Sequence, residues 1–93
     1  MFETNEYFDG KVTSIAFHVK GASATIGVMA PGEYEFDTSS KEIMKVISGS
    51  LSIQQPRSDA WEVYGPGESF EVKSGVRFGV RVSEETSYLC LYC

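Results

Sequence analysis

From residue 11 onward, apolar and polar positions alternate with a period of two. In KVTSIAFHV (11–19), Thr13, Ile15, Phe17 and Val19 share one face of a strand, and Val12, Ser14, Ala16 and His18 share the other. ATIGVM (24–29) reads as a second strand. GEYEFD (32–37) sets Tyr34 and Phe36 against Glu33, Glu35 and Asp37. EIMKVIS (42–48), LSIQQ (51–55), WEVY (61–64), SFEV (69–72), RFGVRV (77–82) and SYLCLY (87–92) continue the pattern. Turn residues separate these runs: PGE at 31–33, TSS at 38–40, PRSD at 56–59, GPG at 65–67, KSG at 73–75 and SEE at 83–85. No long helical period interrupts them. Many short, regularly spaced strands predict an all-β sandwich or barrel.

The pattern also predicts facing. If Glu42 points inward, so do Met44 and Val46. If Phe78 points inward, so do Val80 and Val82, while Arg77 and Arg81 point away. Glu33, Glu35 and Asp37 then face water. SYLCLY is apolar on both faces, with Tyr88, Cys90 and Tyr92 on one and Leu89 and Leu91 on the other. Such a strand is buried on both sides. In so short a chain a second subunit is the expected cover, which predicts a homodimer. An echo between PGEYEF (31–36) and PGESFE (66–71) suggests a barrel built from two similar halves.

Composition narrows the function classes. The 93 residues, 42% hydrophobic, suffice for one domain over 1–93 with one core. A formal net charge of −5, with eight scattered Lys and Arg, argues against nucleic acid and anionic membrane as partners. No run is long enough to span a bilayer, and the acidic start MFETNEYFDG has no apolar signal core. Cys90 and Cys93, three positions apart on one strand, point to opposite faces and do not bridge. These features predict a cytoplasmic protein.

GPGESFEVKSGVRF (65–78) resembles the second motif of the cupins, small double-stranded β-helix (jelly-roll) barrels. Gly67 and Gly75 fit that motif. Lys73 stands in place of its proline, and Phe78 in place of its metal-binding histidine. Glu42 and Gly49 keep a spacing of the first motif, but the preceding His-x-His is absent. One histidine, His18, lies on a different strand from both motifs. Soft or borderline transition metals want imidazole or thiolate ligands, usually three or four in closed geometry. The expected barrel therefore uses no metal. Glu42 is left either as a general acid or base, or as a satisfied polar residue.

NEYFDGKVTSIAF (5–17), GVMAPGEYEF (27–36), EIMKVISGSL (42–51) and TSYLCLY (86–92) resemble the pyrimidine/purine nucleoside phosphorylase family of metal-free cupins. The resemblance runs from Asn5 to Tyr92. It implies reversible phosphorolysis of purine or pyrimidine ribonucleosides to free base and ribose 1-phosphate by a dimeric cupin, with broad base tolerance. Phosphate is a co-substrate, and no cofactor is expected.

Phosphorolysis at the anomeric carbon passes through an oxocarbenium-like state, as glycoside hydrolysis does. Phosphate is already a nucleophile, so positioning and electrostatic complementarity suffice. Glu42 is the candidate catalytic residue, placed to stabilise the cation or to bind ribose hydroxyls. Lys11, Ser14, Thr38 and Ser40 are candidates for holding phosphate, through an ammonium, hydroxyls or turn amides. Tyr34, Tyr88 and Tyr92, with Tyr7 and Trp61, are candidates for an aromatic wall, and Met44 and Phe78 for the pocket lining. Two other classes compete: a non-catalytic metal-free cupin binding a small sugar or nucleoside metabolite, and a dimeric interaction module with a filled barrel. An open polar pocket containing Glu42 argues against the filled barrel. Base release without phosphate would instead mark a hydrolase.

Overall fold

The structure, a computed structural model, describes residues 1–93. It holds ten strands and no helix: β1 (Glu3–Tyr7), β2 (Val12–Val19), β3 (Ala22–Met29), β4 (Gly32–Asp37), β5 (Glu42–Ser48), β6 (Leu51–Gln54), β7 (Glu62–Tyr64), β8 (Ser69–Val72), β9 (Arg77–Val82) and β10 (Thr86–Tyr92). Every pairing is antiparallel. A six-stranded sheet runs β1-β2-β3-β10-β5-β8, and a four-stranded sheet runs β4-β9-β6-β7. This is the small cupin-type β fold that the motifs implied.

Nine of the ten strands follow the alternation in the sequence. β1 does not: ETNEY has no apolar face, and all but Asn5 of the strand is exposed. β1 is held as an edge strand by its ladder to β2 (Glu3↔Ala16 through Tyr7↔Val12), a tertiary contact that no local pattern announces. The inner faces of the two sheets share one core. Val12, Met29, Met44, Val46, Phe70, Val72, Tyr88 and Cys90 come from the six-stranded sheet, and Tyr34, Leu51, Ile53, Phe78, Val80 and Val82 from the other. Emptying one such position, as in Phe78→Ala, removes about 3–5 kcal/mol. The expected facings hold. Met44, Val46, Phe78, Val80 and Val82 are buried, and Arg77 and Arg81 are exposed.

On the outer face of the four-stranded sheet, register places Asp37 opposite Arg77 and Glu33 opposite Arg81. Arg77 Nε donates to Asp37 Oδ1 at 2.9 Å, and Arg81 Nε to Glu33 Oε1 at 2.6 Å. The two arginines are thus paired in place, and Arg81 also lies 3.9 Å from the Trp61 ring centre. Both pairs are exposed and contribute little to stability.

Two turns tie strand ends together. Gly49, at φ 84°, approaches Thr86 and the Glu85 carbonyl so closely that a side chain there would overlap them. Thr86 Oγ1 accepts from Ser50 N at 3.1 Å and donates toward Ser50 O at 3.0 Å. The VISG and TSYLC segments are therefore spatial neighbours. The turn from Tyr7 to Val12 sets two ordinary residues in the left-handed region, Phe8 at φ 54° and Asp9 at 58°, ahead of Gly10 at 83°; Lys20 and Arg57, in other turns, share that conformation at 50° and 62°. Left-handed backbone costs an ordinary residue about 1–2 kcal/mol. Asp tolerates this region better than a bulky aromatic does.

Candidate functional site

Register builds a pocket from cross-strand rows on the inner face of the six-stranded sheet. Ser14, Gly27, Tyr88 and Val46 form one row; Thr25, Cys90, Met44 and Phe70 form the next; Tyr92, Glu42 and Val72 form the third. Gly27 is required in its row. A Cβ there would stand 2.7 Å from Thr13 O, 2.8 Å from Tyr88 Oη and 2.9 Å from Ser14 Cβ. The missing side chain makes room for the Tyr88 hydroxyl beside Ser14.

The resulting cavity has a volume of about 270 Å³. Its inner wall is Ser14, Met29, Met44, Tyr88 and Cys90, with Glu42 and Tyr92 half-buried. Phe36 and Phe78, with ring centres 5.9 Å apart, close it from the four-stranded sheet. Its exposed lining residues, Tyr7, Phe8, Glu35 and Asp37, form the rim. Phe78, at the position of the absent histidine, contributes an aromatic wall. No cluster of three His, Cys, Asp or Glu side chains stands where a metal ion could be held.

Electrostatics separate wall from rim. Burial raises the Glu42 carboxyl above the ordinary carboxylate range, partly offset by the Cys90 thiol, whose Sγ donates to Glu42 Oε1 at 3.5 Å. No basic side chain pairs with Glu42. Burial also pushes the Cys90 thiol and the Tyr88 hydroxyl up to about 12, and raises Tyr92 further. Tyr92 Oη and Thr25 Oγ1 share a hydrogen bond at 3.1 Å. The inner wall thus presents neutral O–H and S–H groups and a carboxyl biased toward its protonated form. At the rim, the hydrogen bond from Arg77 holds Asp37 below the ordinary range. No Lys or Arg lines the cavity.

Of the residues singled out from the sequence, Tyr7, Ser14, Glu42, Met44, Phe78, Tyr88 and Tyr92 line this one cavity. Five stand outside its lining. Tyr34, a core residue, donates its hydroxyl to Ala30 O at 2.6 Å and lines a neighbouring groove. Thr38 Oγ1 donates to Lys73 O at 2.6 Å and accepts from Val76 N at 3.1 Å, so its hydroxyl staples the 73–76 turn. Lys11 is exposed in the β1–β2 turn, Ser40 is half-buried before β5, and Trp61, half-buried before β7, lines the same groove as Tyr34. Phe8, Phe36 and Cys90 were not singled out. Alternation shows which face a residue takes, not which turn or opposite sheet will meet it. Cys90, sharing the Tyr88–Tyr92 face, was the most legible of the three.

A family model described as "Pyrimidine/purine nucleoside phosphorylase" matches residues 2–92. The chain belongs to the pyrimidine/purine nucleoside phosphorylase family. Relatives bearing that family's name include proteins of Pseudomonas putida, 52% identical, and Alcanivorax borkumensis, 53% identical. Each aligns over 99% of this chain and 98% of its own length. Among solved structures, a Vibrio parahaemolyticus protein of unknown function superposes with a TM-score of 0.96 at 39% identity, covering 100% of this chain and 99% of its own. A putative ethanolamine utilization protein of Salmonella typhimurium, 12% identical, shares the fold with a TM-score of 0.77, covering 99% of this chain and 93% of its own. The family membership confirms the resemblance carried by NEYF-x-GKV, VISG and TSYLC.

Proposed function

We propose that this chain is a nucleoside phosphorylase and that the cavity around Glu42 is where it exchanges the base of a purine or pyrimidine ribonucleoside for phosphate. The observation that carries this assignment is Glu42: a half-buried carboxyl without a basic partner, facing an aromatic pocket. Burial shifts such a group toward its neutral form, which suits a general acid. Glu42 delivers a proton to the departing base as the bond to the anomeric carbon lengthens. The Phe36, Phe78 and Tyr88 rings offer stacking surfaces with few hydrogen-bonding demands, which suits broad base tolerance. Phosphate is met by the neutral hydroxyls of Ser14, Tyr88 and Tyr92 rather than by a cation, and the donor set supports chemistry without a metal or other cofactor.

We further infer that residues 1–93 act as one domain and as a homodimer. Ile15, Ile26 and Leu89 form one row on the outer face of the six-stranded sheet, next to Val28, and Ile15, Ile26 and Val28 are 41–51% exposed. An apolar sheet face of this kind is a subunit interface in waiting. Ile26→Glu is expected to yield monomers by sedimentation; an unchanged dimer would move the interface elsewhere. The free thiols of Cys90 and Cys93 support a reducing, cytoplasmic setting.

The test of function is chromatographic release of base from uridine and adenosine, with and without phosphate, using protein free of host phosphorylases. Phosphate-dependent release with formation of ribose 1-phosphate is expected. No release from either nucleoside would leave a binding barrel.

A further inference from the structure

We propose that the Phe8 ring is the water-excluding lid of this pocket, and that it decides whether phosphate or water takes the sugar. The inference rests on the cavity around Glu42 being the nucleoside site. Phe8 sits in the β1–β2 turn with φ 54°, a conformation that a bulky aromatic seldom adopts. That conformation accompanies a placement away from the turn's own sheet. The ring lies on the four-stranded sheet, 5.0 Å from the Tyr34 ring centre and, edge-on, 5.5 Å from that of Phe36. Strain of this kind persists where surrounding contacts over-determine it, and it clusters at functional sites.

Three further observations point the same way. Phe8, like Glu35 and Phe78, lines both the inner cavity and the larger neighbouring groove of about 630 Å³. It thus stands on the boundary between a neutral aromatic pocket and an open polar surface. It is 44% exposed, unlike the buried Phe78, so one part of the ring meets solvent while another covers the rim. Finally, the inner cavity of about 270 Å³ is at or below the lower end of ordinary small-molecule sites, roughly 300–1,000 Å³. A nucleoside with phosphate therefore extends to the rim, beneath Phe8.

The chemistry makes this position consequential. In phosphorolysis the C1′–N bond breaks, a phosphate oxygen forms the new C1′–O bond, and the base leaves with a proton. If water reaches the same oxocarbenium-like carbon, its oxygen forms the C1′–O bond, a proton of the water balances the departing base, and the product is ribose. Both routes are redox-neutral and begin with the same bond cleavage. Closing a site against water is what suppresses the second.

The experiment compares parent, Phe8→Ala and Phe8→Tyr, measuring ribose, ribose 1-phosphate and free base from uridine, with melting curves to establish folding. Phe8→Ala is expected to release base without phosphate and, with phosphate present, to raise the ratio of ribose to ribose 1-phosphate by about tenfold. Phe8→Tyr is expected to restore the parent ratio. Phe8→Asn, which suits the left-handed backbone while removing the ring, replaces Phe8→Ala if that variant does not fold. A folded ring-less variant with the parent's product ratio overturns the proposal. So does one that releases no base at all, since an unlidded pocket must still break the bond. Failure of the parent itself to release base would instead overturn the underlying assignment of the pocket.

Discussion

Glu42 and Asp37 line the same cavity, carry the same functional group, and are driven in opposite directions. Glu42, on the inner wall, is half-buried with a thiol as its hydrogen-bond partner, and its carboxyl is raised. Asp37, on the rim, is exposed and gripped by Arg77 at 2.9 and 3.4 Å, and its carboxyl is lowered. Residue type does not set the chemistry of either one. Desolvation favours the neutral acid at the wall, and a charge-assisted pair favours the anion at the rim. The wall's carboxyl is thus shifted toward the protonated form and the rim's toward the anion.

The comparison breaks most sharply at Glu42. Glu42→Gln keeps the shape and removes the proton, so turnover should fall about 10²–10⁴-fold, as for loss of a general acid. Steady-state base release measures it, and full activity would remove Glu42 from the mechanism. Next in size is Gly27→Ala, which pushes a methyl against Thr13 O, Tyr88 Oη and Ser14 Cβ. A destabilisation of about 1–3 kcal/mol is expected in chemical denaturation, together with weakened activity as Tyr88 shifts.

A smaller effect lies in the pH dependence of stability. The folded carboxyl of Glu42 is raised above its unfolded value, so the folded state holds the proton more tightly. Its favourable contribution is complete below the ordinary carboxylate value, about 4.3, and is lost as pH rises through the raised folded value. Glu42→Gln lacks that loss. Relative to the parent, it should therefore become more stable as pH increases from 4 toward neutrality, as melting curves across that range would show. A parent and variant with parallel pH profiles would mean that Glu42 is not desolvated. Least affected is the rim. Asp37 has the reverse sign, with stability lost as pH falls through its lowered value, but the exposed pair is screened by solvent. Asp37→Asn should leave the melting temperature unchanged, and a clear drop would show that the rim is structurally coupled to the wall.

Much of this contrast was legible before any fold was known. Alternation placed Glu42 with Met44 and Val46, placed Phe78 with Val80 and Val82, and turned Arg77 and Arg81 outward. Seven of the residues picked for the site lie together because neighbouring inner-face rows bring β2, β5 and β10 to one cavity, which Tyr7 of β1 and Phe78 of β9 also line. Two of the picks that stand apart, Thr38 and Tyr34, failed to join it for a shared reason. Thr38 and Tyr34 have polar groups suited to a ligand, but backbone carbonyls already engage those groups, and which carbonyl comes near is a tertiary matter. β1 was missed because ETNEY has no apolar face, and Phe8 because it lies in a turn.

By itself, the sequence determined nine of the ten strands, their facings, the absence of a metal-ligand set on the cupin motifs, and the family. These depend on local geometry, in which side chains alternate every two residues, and on motifs carried in order along the chain. Only the tertiary structure decided that Cys90 meets Glu42, that Arg77 grips Asp37, and that Phe8 crosses to Tyr34 and Phe36. Burial and partnership are properties of space rather than of position in the chain, and they give two identical carboxyl groups opposite tendencies across one small pocket.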